Sequence, residues 1–234
     1  MWTRMELKMR AKVAFRRNYW ACVIVAFVMS IVTGAISSSS ASSDMEESSV
    51  SGYDDLGSAI IALTVFAVIA IVAIIVFIAK IFVGNALLVG GSRFFVMNQT
   101  EDAKPGILLY GFKSGSFGNI VLVMFLRDLF IGLWTLLFIV PGIIKNYEYL
   151  MVPYILAENP QMSRKDAFAI SKRMMMGQKW NAFVLDLSFF GWRLLEGITL
   201  GIAGIFYVEP YYQATLAELY TTNRAIAYQN GYIR

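Results

Sequence analysis

An all-α fold is predicted for this sequence: a polytopic transmembrane helical bundle of about six spans, both termini cytoplasmic, in one integral membrane domain over 1–234. Composition is the first observation behind it. Of the 234 residues 58% are hydrophobic and 15% charged, against about 45–50% and about 25% in a soluble domain. The second is a series of apolar runs, several near the roughly 20 residues that an α-helix needs to cross hydrocarbon. The third is charge placement: Lys and Arg fall between runs and are absent from 37–56, as the bias of bases toward the cytoplasmic side requires.

The elements follow in order. Residues 1–18 are a basic segment holding an amphipathic helix over 2–17, started by Thr3 and Glu6 at capping-box spacing. Trp2, Met5, Met9 and Val13 recur at helical spacing while Arg4, Lys8, Lys12 and Arg16 face elsewhere. Two readings fit: a helix lying on anionic lipid headgroups, or a solvated basic segment that only orients the chain. Residues 19–36 are the first span, better read as uncleaved than as a signal peptide, because the basic region before it is long and separately helical.

Residues 37–56 are rich in serine, with Asp44, Glu46, Glu47, Asp54 and Asp55; they cannot bury a core and predict a flexible extracytoplasmic loop. The span over 57–79 is free of charge, Lys80 can snorkel at its end, and apolar character continues to Gly90-Gly91. Residues 117–157 are too long for one span and are interrupted by Pro141-Gly142. Two spans, 117–140 and 143–157, keep Arg164, Lys165, Lys172, Arg173 and Lys179 on the cytoplasmic side. The second is short and is predicted to be re-entrant or kinked at Pro153. A second interfacial helix over 163–177 begins with Ser163 and Asp166 at N-cap spacing and stops at Gly177. Spans over 180–206 and 208–227 complete the set, with Trp180, Tyr207, Tyr211 and Tyr212 as interfacial anchors.

Ionisable residues inside spans cost about 2.5–3.5 kcal/mol each on insertion scales, so they are functional candidates by default. They are Arg127, Asp128, Lys145, Glu148, Arg193, Glu196 and Glu218, with Asp186 discounted as close to the cytoplasmic end. Lys145/Glu148 and Arg193/Glu196 are three apart and can each neutralise locally. Arg127 and Asp128 point about 100° apart and need partners elsewhere. A hydrated polar pathway and ion pairing that only fixes helix register both fit. Gly197-x-x-x-Gly201 with Gly204 predicts close helix packing, within the chain or between protomers, so a protein partner or homo-oligomer stays open.

Other function classes lose ground. No histidine is present and Cys22 is the single cysteine, which removes the commonest general base and any cysteine-rich metal site. No phosphate loop, zinc-helix motif or nucleophile elbow occurs, and neither a metal nor an organic cofactor is expected. The pI near 9.1 comes from bases without interleaved aromatics, so nucleic acid is not an expected partner.

A set of phrases carries a resemblance. They are Met1-Trp2-Thr3-Arg4 with Asn18-Tyr19-Trp20, Leu133-Trp134, and Ile139-Val140-Pro141-Gly142-Ile143-Ile144-Lys145. Ala157-Glu158-Asn159-Pro160, Ser171-Lys172-Arg173-Met174-Met175, Lys179-Trp180, Gly191-Trp192 and Pro210-Tyr211 complete it. The chain resembles, from residue 1 to about 220, an uncharacterised family of integral membrane proteins of Gram-positive bacteria, a domain of unknown function. It is distantly similar to the membrane domain of some glycerophosphodiester phosphodiesterases, the non-catalytic part of those enzymes. The resemblance implies an all-helical, multi-pass protein of the bacterial cytoplasmic membrane and transfers no catalytic residue.

The expected function is a non-enzymatic membrane accessory or regulatory component. The alternative is a small transporter or export component for a solute, peptide or lipid. A third reading, immunity to a membrane-active peptide, fits the family's host class but no particular residue.

Overall fold

The computed structural model describes residues 2–33 and 55–231, and among them every regular element is helical. The expected loop over 37–56 lies outside the described residues except for its last two positions, where α3 begins.

Helix α1, Arg4–Arg17, is capped by Thr3, whose hydroxyl accepts from the Glu6 N–H at 3.3 Å. It buries Leu7, Ala11, Ala14 and Phe15, spaced three and four apart as one helix face requires, against α12. Trp2 joins this face instead of lining up with Met5, Met9 and Val13: it is buried, and its indole N–H donates to Asn223 at 3.1 Å. Met5, Met9 and Val13 are left exposed on the opposite side. Tyr211 donates to the Lys8 carbonyl at 3.2 Å, and the Lys8 ammonium sits 4.0 Å over the Phe189 ring while donating to the Ser188 carbonyl. Burial first, and then nearby Arg4, lowers the Lys8 pKa.

The chain turns at Asn18 into α2, Tyr19–Thr33. A polar latch holds this elbow. The Asn18 amide donates to Asn98 Oδ1 and to the Ala103 carbonyl, both at 2.8 Å. Asn98, 1% exposed, donates to the Ala14 carbonyl at 3.1 Å and to Cys22 Sγ at 3.3 Å. Arg17 closes the latch on the Asn98 and Glu101 carbonyls and on Asp102.

Helix α3, Asp55–Ala79, runs through a π-helical turn, Lys80–Gly84, into α4, Asn85–Met97. Its two halves are unlike. Large apolar side chains of α3 are exposed on every side, whereas Val89, Phe94 and Phe95 of α4 are in the core. A 3-10 turn, Pro105–Leu109, and the short α5, Tyr110–Lys113, pack on α4. There Gly90 meets the Leu108 backbone so closely that a Cβ would overlap it.

Helix α6, Phe117–Leu137, ends at Phe138, whose extended backbone (φ −154, ψ 134) reverses the chain into α7, Ile139–Glu148. The hairpin therefore turns three residues before Pro141, which sits in the first turn of α7 where its missing N–H costs nothing. Gly142 lets α7 lie against Thr135 of α6. The expected span over 143–157 is divided: α7 stops at Tyr149, and α8, Val152–Glu158, restarts with Pro153 in its first turn. The expected span over 180–206 is divided too, into α10, Lys179–Leu187, and α11, Phe190–Ile198. Between them and those before comes α9, Arg164–Met174, whose N-cap Ser163 accepts from the Asp166 N–H at 3.2 Å; Gly177 beyond it has φ +73.

Leu200 and Gly201, at φ +51 and +87, turn the chain after α11. Gly197 and Gly201 meet no neighbouring atom within 4 Å of an added Cβ, whereas Gly204 is pressed against Glu196, so of the three glycines only Gly204 packs closely within the described residues. A π-helical turn, Gly204–Val208, leads into α12, Glu209–Gln229. Helix α12 is the centre of the core: Gln213, Thr215, Glu218 and Asn223 are buried along with its apolar residues, and α1, α2, α4 and α9 pack around it. Of the expected anchors, Trp180 is 71% exposed, but Tyr211 is buried against Phe189 and Tyr207.

Two helices are long and apolar enough to cross a membrane, Ile60–Met97 and Phe117–Leu137; Tyr19–Ile31 is a shorter apolar helix.

Candidate functional site

A groove of about 580 Å³ lies between the α3–α4 helix and α6. Phe77, Ile81, Leu88, Leu129 and Leu133 are among its apolar walls, and Lys80, Asn85, Arg127 and Asp128 are its polar groups. Two glycines open it, Gly84 in the π turn and Gly132 on α6. A π turn winds more residues into the turn than the α-helical 3.6 and re-aims the side chains around it, which is why such turns recur at functional sites. Here it lies between Lys80 and Asn85, both of which line the groove.

Arg127 finds its partners at short range. Its Nε donates to the Tyr149 carbonyl at 3.2 Å, at the break between α7 and α8, and Nη1 lies 3.2 Å from Asp128 Oδ1. The Arg127 side chain is 13% exposed and that of Asp128 53%. The adjacent residues, which point apart on the helix, thus meet through the length of the guanidinium arm.

Lys145 and Glu148 belong to a second place. Glu148, 3% exposed, lies 3.0 Å from Lys145, 3.3 Å from Lys179 and 3.4 Å from Lys172. The Lys145 pair is visible in the sequence; Lys172 and Lys179 arrive on α9 and α10 through tertiary packing. Ser171 of α9 donates to the Glu148 carbonyl at 2.8 Å, closing the end of α7. Glu148→Gln leaves three ammonium groups around a neutral amide. Because Lys172 is 59% exposed and can turn to water, the expected loss is held to about 1–2 kcal/mol. A lower thermal midpoint in detergent checks it; an unchanged midpoint contradicts a stabilising role for the cluster.

A third place centres on Asp186. Tyr147 donates to its Oδ2 at 2.6 Å and Tyr212 to its Oδ1 at 3.0 Å, tying α7, α10 and α12 together. Arg193 lies near, its guanidinium 5.3 Å from the Tyr212 ring centre. Glu196 packs against Gly204, and no ion pair joins it to Arg193 among the described residues. Glu218 is on the buried face of α12, with Arg10 of α1 as its charged neighbour.

The seven candidates are therefore distributed: Arg127 and Asp128 at the groove, Lys145 and Glu148 with two further lysines, Arg193 beside Asp186, and Glu196 and Glu218 separately placed. Sequence reasoning had no means of adding Lys80, Asn85, Tyr147 or Tyr212 to the set. Only the π turn between 80 and 84 relates the first two, and such a turn leaves no local mark in an apolar run. Among the described residues no group of three or more His, Cys, Asp or Glu side chains is placed to hold a metal ion.

Comparison with curated proteins and with solved structures gives no match. Residues 136–226, a stretch that holds the Glu148 and Asp186 clusters but not Lys80, Asn85, Arg127 or Asp128, match the model of a family described as "Protein of unknown function (DUF975)".

Proposed function

We propose that the chain is an integral protein of a bacterial cytoplasmic membrane and acts there as a non-catalytic accessory or regulatory component. The observation that carries the membrane reading is α3. Ile60, Leu63, Phe66, Ile71, Ile75 and Phe77 are 56–71% exposed, and they point around the whole helix. A helix apolar all round has no stable place in water, where each exposed Å² costs about 25 cal/mol, and is at home in lipid.

Three out-and-back excursions make up the proposed topology, together the six passes or part-passes that keep both termini cytoplasmic. They are α2 with α3, α6 with α7, and α10–α11 with the return through 202–208 into α12. The return arms are short: α7 has 10 residues, about 15 Å of rise. The bases of α1, α9 and the 98–116 segment then share one side. Met5, Met9 and Val13, exposed beside Lys12 and Arg16 on α1, suit contact with anionic headgroups.

The accessory reading is supported by the dispersal of the polar residues, since Glu148 and Asp186 are each enclosed by their own partners. A small transporter for a solute, peptide or lipid is the second reading, favoured by the groove at Arg127 and Asp128. Neutral substitutions of Arg127, Asp128, Arg193 and Glu196 separate the two, because loss of transport with an intact fold supports a pathway.

The membrane reading predicts resistance to alkaline carbonate extraction. It also predicts that a cysteine at position 48 is labelled by an impermeant maleimide in intact cells, and one at position 12 only after permeabilisation. Release by carbonate overturns the membrane reading; labelling at 12 in intact cells overturns the orientation.

A further inference from the structure

The groove between the α3–α4 helix and α6 contains more hydrogen-bonding capacity than the protein uses. Asn85 is 7% exposed and lines the groove, yet its side-chain amide has no hydrogen-bond partner among the described residues. Arg127 carries five N–H donors; one goes to the Tyr149 carbonyl and one to Asp128, and the remaining three have no protein acceptor among the described residues. Lys80, exposed at the rim, has Asp128 as a charged neighbour. These unpaired donors are not sealed in the core but belong to groups that line the groove, so the groove offers hydrogen bonds to an acceptor that the chain does not supply.

Charge and shape define that acceptor. Lys80 and Arg127 against Asp128 leave one positive charge, which one phosphodiester balances. The walls beyond the polar groups are apolar, and Phe77, Leu129 and Leu133 continue outward onto exposed helix surface. A soluble anion has no use for those walls, and a bare hydrocarbon chain leaves Asn85 and Arg127 unsatisfied. We propose that this groove binds one anionic phospholipid, its phosphodiester against Lys80, Arg127 and the Asn85 amide and an acyl chain along Phe77, Leu129 and Leu133. The proposal rests on the membrane reading above.

Gly132 provides the test, because a Cβ there meets no atom within 4 Å: Gly132→Phe is expected to fill the groove from α6. Full-length protein in mild detergent is offered phosphatidylglycerol, glycerol 3-phosphate or diacylglycerol, and bound ligand is counted by native mass spectrometry. One phosphatidylglycerol per chain is expected, with the other two at least about tenfold weaker. Gly132→Phe is expected to lose it while keeping its lipid-free thermal midpoint. Lys80→Gln, a change at an exposed position, is expected to weaken it by about five- to tenfold. Undiminished binding by both variants overturns the proposal, as does equal retention of glycerol phosphate or of diacylglycerol. Protein that resists carbonate but binds no phosphatidylglycerol overturns the groove alone, whereas release by carbonate overturns the membrane reading itself.

Discussion

Gly90→Leu is expected to prevent the protein from reaching its native fold. Gly90 lies where α4 and the 3-10 turn Pro105–Leu109 touch backbone to backbone, and any Cβ overlaps the carbonyl group of Leu108. One turn away on the opposite partner, Gly111 is pressed in the same way against the backbone of Ala86. Overpacking a core usually costs about 1–3 kcal/mol because side chains can shift. Here the obstacle is main chain held at two points, so the cost is expected to exceed about 3 kcal/mol, a large part of a typical net stability of about 5–15 kcal/mol. Size-exclusion chromatography in mild detergent should show the monodisperse peak lost. Gly118→Leu is the control: no atom lies within 4 Å of an added Cβ there, and a normal peak is expected. A monodisperse Gly90→Leu protein with the parental thermal midpoint contradicts the close approach.

The second large effect is expected at Asn98. Its side chain accepts from Asn18 and donates to the Ala14 carbonyl and Cys22, so a single buried amide joins α1, α2 and the end of α4. Asn98→Leu removes three contacts and strands the Ala14 carbonyl and one Asn18 N–H in a buried elbow. Each stranded group costs about 1–3 kcal/mol, partly relieved because the Asn18 amide keeps its bond to the Ala103 carbonyl. A total of about 2–4 kcal/mol is expected, read as a thermal midpoint lowered by roughly 5–15 °C in a chain of this size. A shift under about 2 °C contradicts the latch.

Helix starts and one ion pair were legible in the sequence because their causes lie within four residues. Thr3 and Ser163 cap α1 and α9 through hydroxyls that reach the N–H three residues on, and Lys145 meets Glu148 across one helical turn. Helix breaks were less legible. Pro141-Gly142 marks a turn by its chemistry, yet the reversal occurs at Phe138, because proline is tolerated in a first helical turn and Gly142 is needed for contact with Thr135. The run over 180–206 reads as continuous, and 143–157 as re-entrant or kinked at Pro153, because apolar character says nothing about where packing interrupts a helix; the breaks fall at 188–189 and at 149–151, with Pro153 inside the first turn of α8.

The face of α1 shows the same division. Met5, Met9 and Val13 share a stripe by periodicity, and so do Leu7, Ala11 and Phe15. Two apolar stripes on one helix cannot be ranked from spacing. Docking on α12 chose the second, with Trp2 held by Asn223, and left the first outward.

By itself, then, the sequence determined that the chain is helical, that it is more apolar than a typical soluble domain, and where acidic and basic segments lie, since these depend on composition and on neighbours within a turn. Only the tertiary structure decided which runs stay whole, which face of α1 is buried, and that Lys80, Asn85, Arg127 and Asp128 share one groove. Those outcomes depend on residues far apart in the chain meeting across helix faces, and no local period records which faces will meet.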